Sequence, residues 1–327
     1  MRPSCVMTLI VNCRWAWRWA LLLSCGLMSP LMLAQTAPAP ALTQQVSVLL
    51  ERMTNALHAL NYEGVLVYLH DNRLETLNLL HRVTQGQVQE RLVSLSGPVR
   101  TVARERDRIL SAQPEGQPFA VDPPSGGGHI LATEGIDPAA LDAHYRIAIL
   151  GTARIAGRDT EVIGIIPRDA LRYGYRFYID HATALPLKSD LIDQQEEPLE
   201  QLMFTTISIS PADGATLARS GQPMRNAPAT EASSRWRFGT TPAGFQLVLH
   251  RKIRQPDGAL TEHFLFTDRL CAYSIYIEDE SQEGLNGVTN TGAVHAAGRT
   301  IDGYRVTALG EVPAATVAAA IAGAQRN

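Results

Sequence analysis

Cysteine is almost missing from this 327-residue chain: there are four, and Cys5, Cys13 and Cys25 all fall in the first 34 residues. Acidic residues are missing from the N-terminus, where the first is Glu51. Long hydrophobic runs are missing as well. The apolar stretch from Trp19 to Leu33 reaches only about 15 residues, against the roughly 20 that a membrane span needs. It follows Arg14 and Arg18, ends at Leu33-Ala34, and gives way to the polar Gln35-Thr36-Ala37-Pro38. A basic flank, a short apolar core and a small final residue predict a secretory signal peptide cleaved after Ala34. The alternatives are an uncleaved single-pass anchor and a lipoprotein cleavage site at Leu22-Leu23-Ser24-Cys25, which would lipidate Cys25.

Removal of residues 1–34 takes away three of the 29 basic residues and none of the 32 acidic ones, leaving a net charge of −6. A nucleic-acid binder would carry the opposite balance. Cys271 is then the one thiol left, so a disulfide within the mature chain is excluded. The fold must rest on ordinary cores, and the 293 remaining residues are enough for two. Cys271 lies in the alternating segment Leu270–Ile277, which reads as a packed core thiol rather than a redox switch.

Catalytic and cofactor signatures are also lacking. No G-x-S-x-G elbow is present, and Ser94-Leu95-Ser96-Gly97-Pro98 reads as a strand end and turn. Gly126-Gly127-Gly128 has no lysine and no helix after it, so it cradles no phosphate. The nine histidines show no i, i+2 or i, i+4 pairing of the kind that builds a metal site. Glu196-Glu197 reads as a solvated turn pair. No cofactor is implied.

What is there is mostly extended chain. Leu42, Val46, Leu49, Met53, Ala56, Leu57 and Leu60 recur at helical spacing, predicting a helix over Thr43–Leu60. Strands are predicted at Tyr62–Leu69, Leu74–Val83, Val88–Leu95 and Val99–Leu110, with turns at Asp71-Asn72, Gln85-Gly86 and Gly97-Pro98. Such spacing means an antiparallel meander. Pro114–Gly128 reads as a mobile loop and Leu131–Leu141 as a helical or irregular bridge. Strands resume at Tyr145–Leu150, Asp159–Ile166, Arg172–Asp180, Leu187–Ile192 and Leu199–Ile209. Residues 210–234, rich in Pro, Ala, Gly and Ser, read as a linker. A smaller unit follows, with strands Phe245–Ile253, Leu260–Thr267, Leu270–Glu278, Val288–Thr300 and Tyr304–Leu309. An Ala-rich helix, Val312–Ala324, closes it, with Pro313 in its first turn. The two units show no internal repeat.

Some strands are apolar on both faces: Val65–Leu69, Val162–Ile166 and Leu202–Ile209. One helix covers only one face of a sheet, so the other needs a second layer or a concave cavity holding an apolar ligand. The pattern alone leaves both open.

The most informative stretch is Tyr173–Asp193, YGYRFYIDHATALPLKSDLID. Tyr173, Tyr175, Phe177 and Ile179 point one way, and Arg172, Arg176, Tyr178 and Asp180 the other. Thr183–Pro186 makes the turn of a hairpin. Its wording, together with Asn61–Tyr68, Leu74–Leu77, Glu90–Arg100, Gly151–Asp159, Pro167–Asp169 and Leu199–Phe204, resembles the MucB/RseB family. The likeness runs from about Val46 to the end of the chain.

The resemblance implies an α+β, two-domain periplasmic protein without catalytic activity. Its large domain (43–209) would be a curved antiparallel half-barrel with helices, similar to the lipoprotein carriers LolA and LolB. Its small domain (235–325) would be an antiparallel sheet with a C-terminal helix. The implied partner is the periplasmic domain of a membrane-bound anti-sigma factor (RseA or MucA), shielded from site-1 proteolysis until lipid or lipopolysaccharide is sensed. Homo-oligomerisation is left open. Leu66, Tyr68, Leu77, Leu79, Tyr175, Phe177, Leu202 and Phe204 are the residues expected to line a ligand cavity. Arg168, Arg172 and Arg176 are candidates for an anionic ligand or the partner, with Arg172 and Arg176 on one strand face; the competing reading is a solvated face with cross-strand pairing. Ala184 stands where the family turn carries glycine; the left-handed conformation costs Ala what Gly avoids, so this loop is expected to differ. A lipid or lipoprotein carrier without a signalling partner is the alternative function, and a hydrolase built from distant residues the third.

Overall fold

The helical spacing near the mature N-terminus is realised as α1, Pro40–Ala59, in a computed structural model of the chain. The structure describes residues 40–84, 87–96, 101–105, 108–112, 119–121, 136, 138–212, 234–255, 258–279 and 284–327. The expected signal peptide and nearly all of the expected linker lie outside these residues. One stripe of α1, formed by Val46, Leu50, Met53 and Leu57, is buried in the larger core. Each such side chain contributes roughly 1.5–3 kcal/mol of gross burial free energy. The helix stops before Asn61, whose side chain is used elsewhere. It accepts from the Val83 amide at 2.7 Å and donates to the Pro211 carbonyl at 3.4 Å, tying three strands together.

The large sheet has eleven strands: β1 (Leu60–His70), β2 (Arg73–Thr84), β3 (Gln87–Ser94), β4 (Thr101–Glu105), β5 (Arg108–Ala112), β6 (Phe119–Val121), β7 (Tyr145–Ile155), β8 (Arg158–Pro167), β9 (Gly174–Asp180), β10 (Pro186–Ile192) and β11 (Pro198–Pro211). Their order is β6-β5-β4-β3-β2-β1-β11-β10-β9-β8-β7, an open sheet of two meanders joined where β1 pairs antiparallel with β11. Gly64 lies at that seam, where a Cβ would come 2.2 Å from the Thr206 carbonyl oxygen. A short helix, α2 (Pro138–Leu141), leads into β7.

The smaller sheet contains β13 (Gln246–Arg254), β14 (Leu260–Thr267), β15 (Ala272–Asp279), β16 (Gly287–Thr291), β17 (Val294–Ile301) and β18 (Tyr304–Gly310), in the order β13-β14-β15-β18-β17-β16. The helix α3 (Ala314–Ala322) buries Thr316, Val317, Ala320 and Ile321. A two-stranded pair, β12 (Trp236–Phe238) with β19 (Ala324–Arg326), joins the two ends of this region.

Several expected boundaries change. Val99–Leu110 is not one strand but β4 and β5, paired so that Glu105 faces Arg108. Val288–Thr300 is likewise a hairpin, β16 and β17, with Gly292 at φ 56° in the turn. A period-two pattern continues through such tight reversals, so alternation alone does not register them. Pro114–Gly128 contributes β6, and its other residues lie outside the described set. Pro313 occupies the N-cap of α3 rather than its first turn, and the expected helix end is the strand β19.

The strands with two apolar faces are not alike. On β8, Val162, Ile163, Ile165 and Ile166 are all buried. On β1 the second face is partly open: Val65 and Val67 are half-buried and Leu69 is 36% exposed.

Candidate functional site

The hairpin β9–β10 lies between β11 and β8 in the large sheet, and Asp180 organises the hairpin. Its carboxylate accepts both Arg158 guanidinium bonds at 3.0 and 2.7 Å, plus the Thr183 amide at 2.9 Å and hydroxyl at 2.7 Å. Burial works against the Asp180 charge, but these donors outweigh it and hold the carboxyl below its usual range. Contrary to the expected change of loop, Ala184 takes φ 61°, so the turn keeps the left-handed conformation despite its Cβ.

One face of β9 and its neighbours looks into the core and a cavity. Leu66, Leu79, Phe177 and Phe204 are buried in the core beneath α1. Tyr68, Leu77, Tyr175 and Leu202 instead line a cavity of about 340 Å³, together with Leu92, Ser189, Leu191, Glu200, Gln201 and Glu311. That volume lies in the lower part of the range for small-ligand sites, about 300–1,000 Å³. The eight expected residues therefore divide between packing and lining.

Two carboxylates at the cavity come from different sheets. Glu200 on β11 accepts the Tyr68 hydroxyl, and Glu311, just after β18, accepts the Tyr175 hydroxyl at 3.1 Å. Burial, and next the nearby Glu200, push the Glu311 carboxyl up to about 7, although the Tyr175 bond pulls the other way. Both tyrosine hydroxyls are pushed up, first by burial and then by these carboxylates.

Deeper in the junction, Arg172 is fully buried. Its Nη1 donates to Asp268 Oδ2 at 2.6 Å, its Nε to Asp169 Oδ1 at 2.9 Å, and its Nη2 to the Ala243 carbonyl. The guanidinium lies between the rings of Tyr145 and Phe245, at 5.7 and 5.2 Å from their centroids. Asp268 also accepts the Tyr145 hydroxyl at 2.7 Å and the Leu270 and Cys271 amides at 3.0 and 2.7 Å. Cys271 is a buried free thiol whose pKa burial pushes up to about 12. It is a packing residue with a weak bond to the Tyr173 carbonyl.

The three arginines are not gathered at one surface. Arg172 precedes β9 instead of sharing a strand face with Arg176, and its bonds are all spent inside the protein. Arg176 pairs with Asp190 at 3.4 Å, across the strand from it. Asp190 is itself fully buried and also receives Lys188 at 3.1 Å, Tyr178 at 3.2 Å and Gln201 at 3.1 Å. Arg168 is half-exposed and bonds the Asp142 and Tyr145 carbonyls at 3.1 and 3.0 Å. Sequence reasoning missed Glu200, Glu311 and Asp268. Glu200 lay within a quoted motif, but Glu311 and Asp268 meet their partners across 136 and 96 residues. Among the described residues, no group of three or more His, Cys, Asp or Glu side chains could hold a metal ion.

Comparison with known proteins places this geometry. The MucB/RseB N-terminal domain model matches residues 45–230, and the MucB/RseB C-terminal domain model matches residues 230–325. The chain is 28% identical over 275 residues to the sigma-E factor regulatory protein RseB of Salmonella typhimurium, covering 82% of this chain and 86% of that one. It is 28% identical over 292 residues to the sigma factor AlgU regulatory protein MucB of Pseudomonas aeruginosa, with the same coverage of 82% and 86%. Among solved structures it is similar to the MucA/MucB complex of Pseudomonas aeruginosa, with TM-score 0.66 and 26% identity over 86% of this chain and 99% of that one. Crystalline MucB in complex with MucA(peri) gives TM-score 0.64 and 27% identity, over 86% and 98%.

Proposed function

Because the chain belongs to the MucB/RseB family along both its N-terminal and its C-terminal parts, we propose that it is a periplasmic regulator that binds the periplasmic region of a membrane anti-sigma factor. Bound there, it shields the anti-sigma factor from site-1 proteolysis, and a lipid-bearing molecule releases it. The observation that carries this reading is the likeness to MucB solved together with MucA, over 86% of the chain. Its named relatives are regulatory proteins, which favours binding over catalysis. The reading divides the chain into a signal peptide at 1–34, a large domain at 43–209, a linker at 210–234 and a small domain at 235–325.

The cavity is the place for the release signal. An acyl chain of roughly ten carbons gains on the order of 8 kcal/mol gross on burial, at about 0.8 kcal/mol per methylene. That suffices to bias a conformational equilibrium if the chain binds the releasing state better than the inhibitory one. By linkage, a bound anti-sigma factor weakens lipid binding by the same factor.

The partner is tested by calorimetric titration of the purified chain with the periplasmic fragment of an anti-sigma factor from the same genome. Saturable binding at micromolar strength or tighter, about −8 kcal/mol, is expected. A chain that takes up lipid but never this fragment would be a carrier.

A further inference from the structure

The cavity described above carries the wrong charge for the ligand expected from the arginines. Arg168, Arg172 and Arg176 are engaged elsewhere, while Glu200 and Glu311 line the cavity. Each carboxylate holds one tyrosine hydroxyl, and a carboxylate accepts about four hydrogen bonds. The groups facing Glu311 are Glu200 from β11, Tyr175 from β9, Tyr173 ahead of it, Tyr68 from β1 and Cys271 ahead of β15. None of these carries a positive charge. Two histidines are nearby: His70 is stacked on Tyr68 and paired with Glu75 at 3.4 Å, and His295 on β17, opposite Gly310, lies 3.4 Å from the Tyr173 hydroxyl.

We infer that this cavity binds the protonated amine of an alkyl amphiphile, with the ammonium between Glu200 and Glu311 and the chain against Leu77, Leu92 and Leu202. An uncharged chain alone would take two carboxylates out of water without compensation. An anionic head group would add repulsion to that cost. An ammonium supplies charge-assisted donors to both carboxylates. The lining leucines call for an apolar stem longer than the head group itself. This rests on the ligand half of the proposed function and not on the partner half. The partner titration can succeed or fail whatever the cavity binds.

The probes are decylammonium and decanoate, titrated separately into the purified chain below their micelle-forming concentrations at about pH 8. Decylammonium binds at least about tenfold tighter, equivalent to 1.4 kcal/mol. The preference shrinks as the pH falls through 7 and Glu311 takes up a proton. It disappears in Glu200→Gln/Glu311→Gln, whose amide oxygens still accept the tyrosine hydroxyls. Equal affinity of the two probes for the unmodified chain overturns the inference, whatever the variant's folding. A preference that survives in the double variant overturns it too, because the amine is then held elsewhere.

Discussion

Arg172→Ala lowers the unfolding free energy of the chain by about 3–5 kcal/mol, the usual cost of stranding one partner of a buried ion pair. Arg172 and Asp268 are both fully enclosed and 2.6 Å apart. Without the guanidinium, Asp268 keeps Tyr145 and two amides as donors but loses its counter-charge. The Ala243 carbonyl loses a donor as well, and Tyr145 and Phe245 face a void where the arginine stem lay. Burial works against the charge of Arg172, but Asp169 and Asp268 more than offset it and keep the group protonated. Urea unfolding reads the effect as a lower midpoint. A loss below about 1 kcal/mol would fit a solvent-screened pair and would contradict the buried junction. Removing both charges together is the informative control, since replacing a whole buried pair with apolar groups is often neutral.

Phe177→Ala costs a similar amount, about 3–5 kcal/mol, through lost transfer free energy and the cavity left behind. Phe177 is 1% exposed and faces Ile163 on β8 and Ser189 on β10. Its ring stacks on Tyr175 at 5.5 Å, a pair worth about 0.5–1.5 kcal/mol beyond burial. Tyr175 lines the cavity and holds Glu311, so the void also loosens that contact. Leu69→Ala on the open face of β1 changes stability by less than about 0.5 kcal/mol and serves as the comparison in the same unfolding series. Equal effects at the two positions would mean that the inner face of the hairpin is not packed.

The hairpin shows how far the sequence could be read. Alternation placed β9 and β10 to within two residues and put Phe177 and Ile179 on the inner side. The family resemblance singled out Ala184 and implied a different loop, yet its φ of 61° shows the turn unchanged in hand. Packing of the outer side was not legible. Asp190 sits on an otherwise polar face, and only the strand register brings Arg176, Tyr178, Lys188 and Gln201 onto it. Arg172 failed for a different reason. Its neighbours suggested a continuing strand, but its partner Asp268 comes from a distant turn. Glu311 looked like a loop residue before a helix, and nothing local indicates that it reaches Tyr175. Pairwise contacts between the two sheets determine the junction and the cavity, and neither composition nor periodicity encodes them. Family likeness carried the fold, partner and regulatory role further than residue patterns did.

The measurement that bears most directly on the regulatory role is protection of the anti-sigma factor from its first cut. The periplasmic fragment is incubated with the cognate site-1 protease, with and without a saturating excess of this chain, and its cleavage is followed over time. The account predicts that the chain slows cleavage by at least about tenfold, the effect of a complex in which nine-tenths or more of the fragment is bound. Cleavage at an unchanged rate, with the chain folded and in excess, would contradict it.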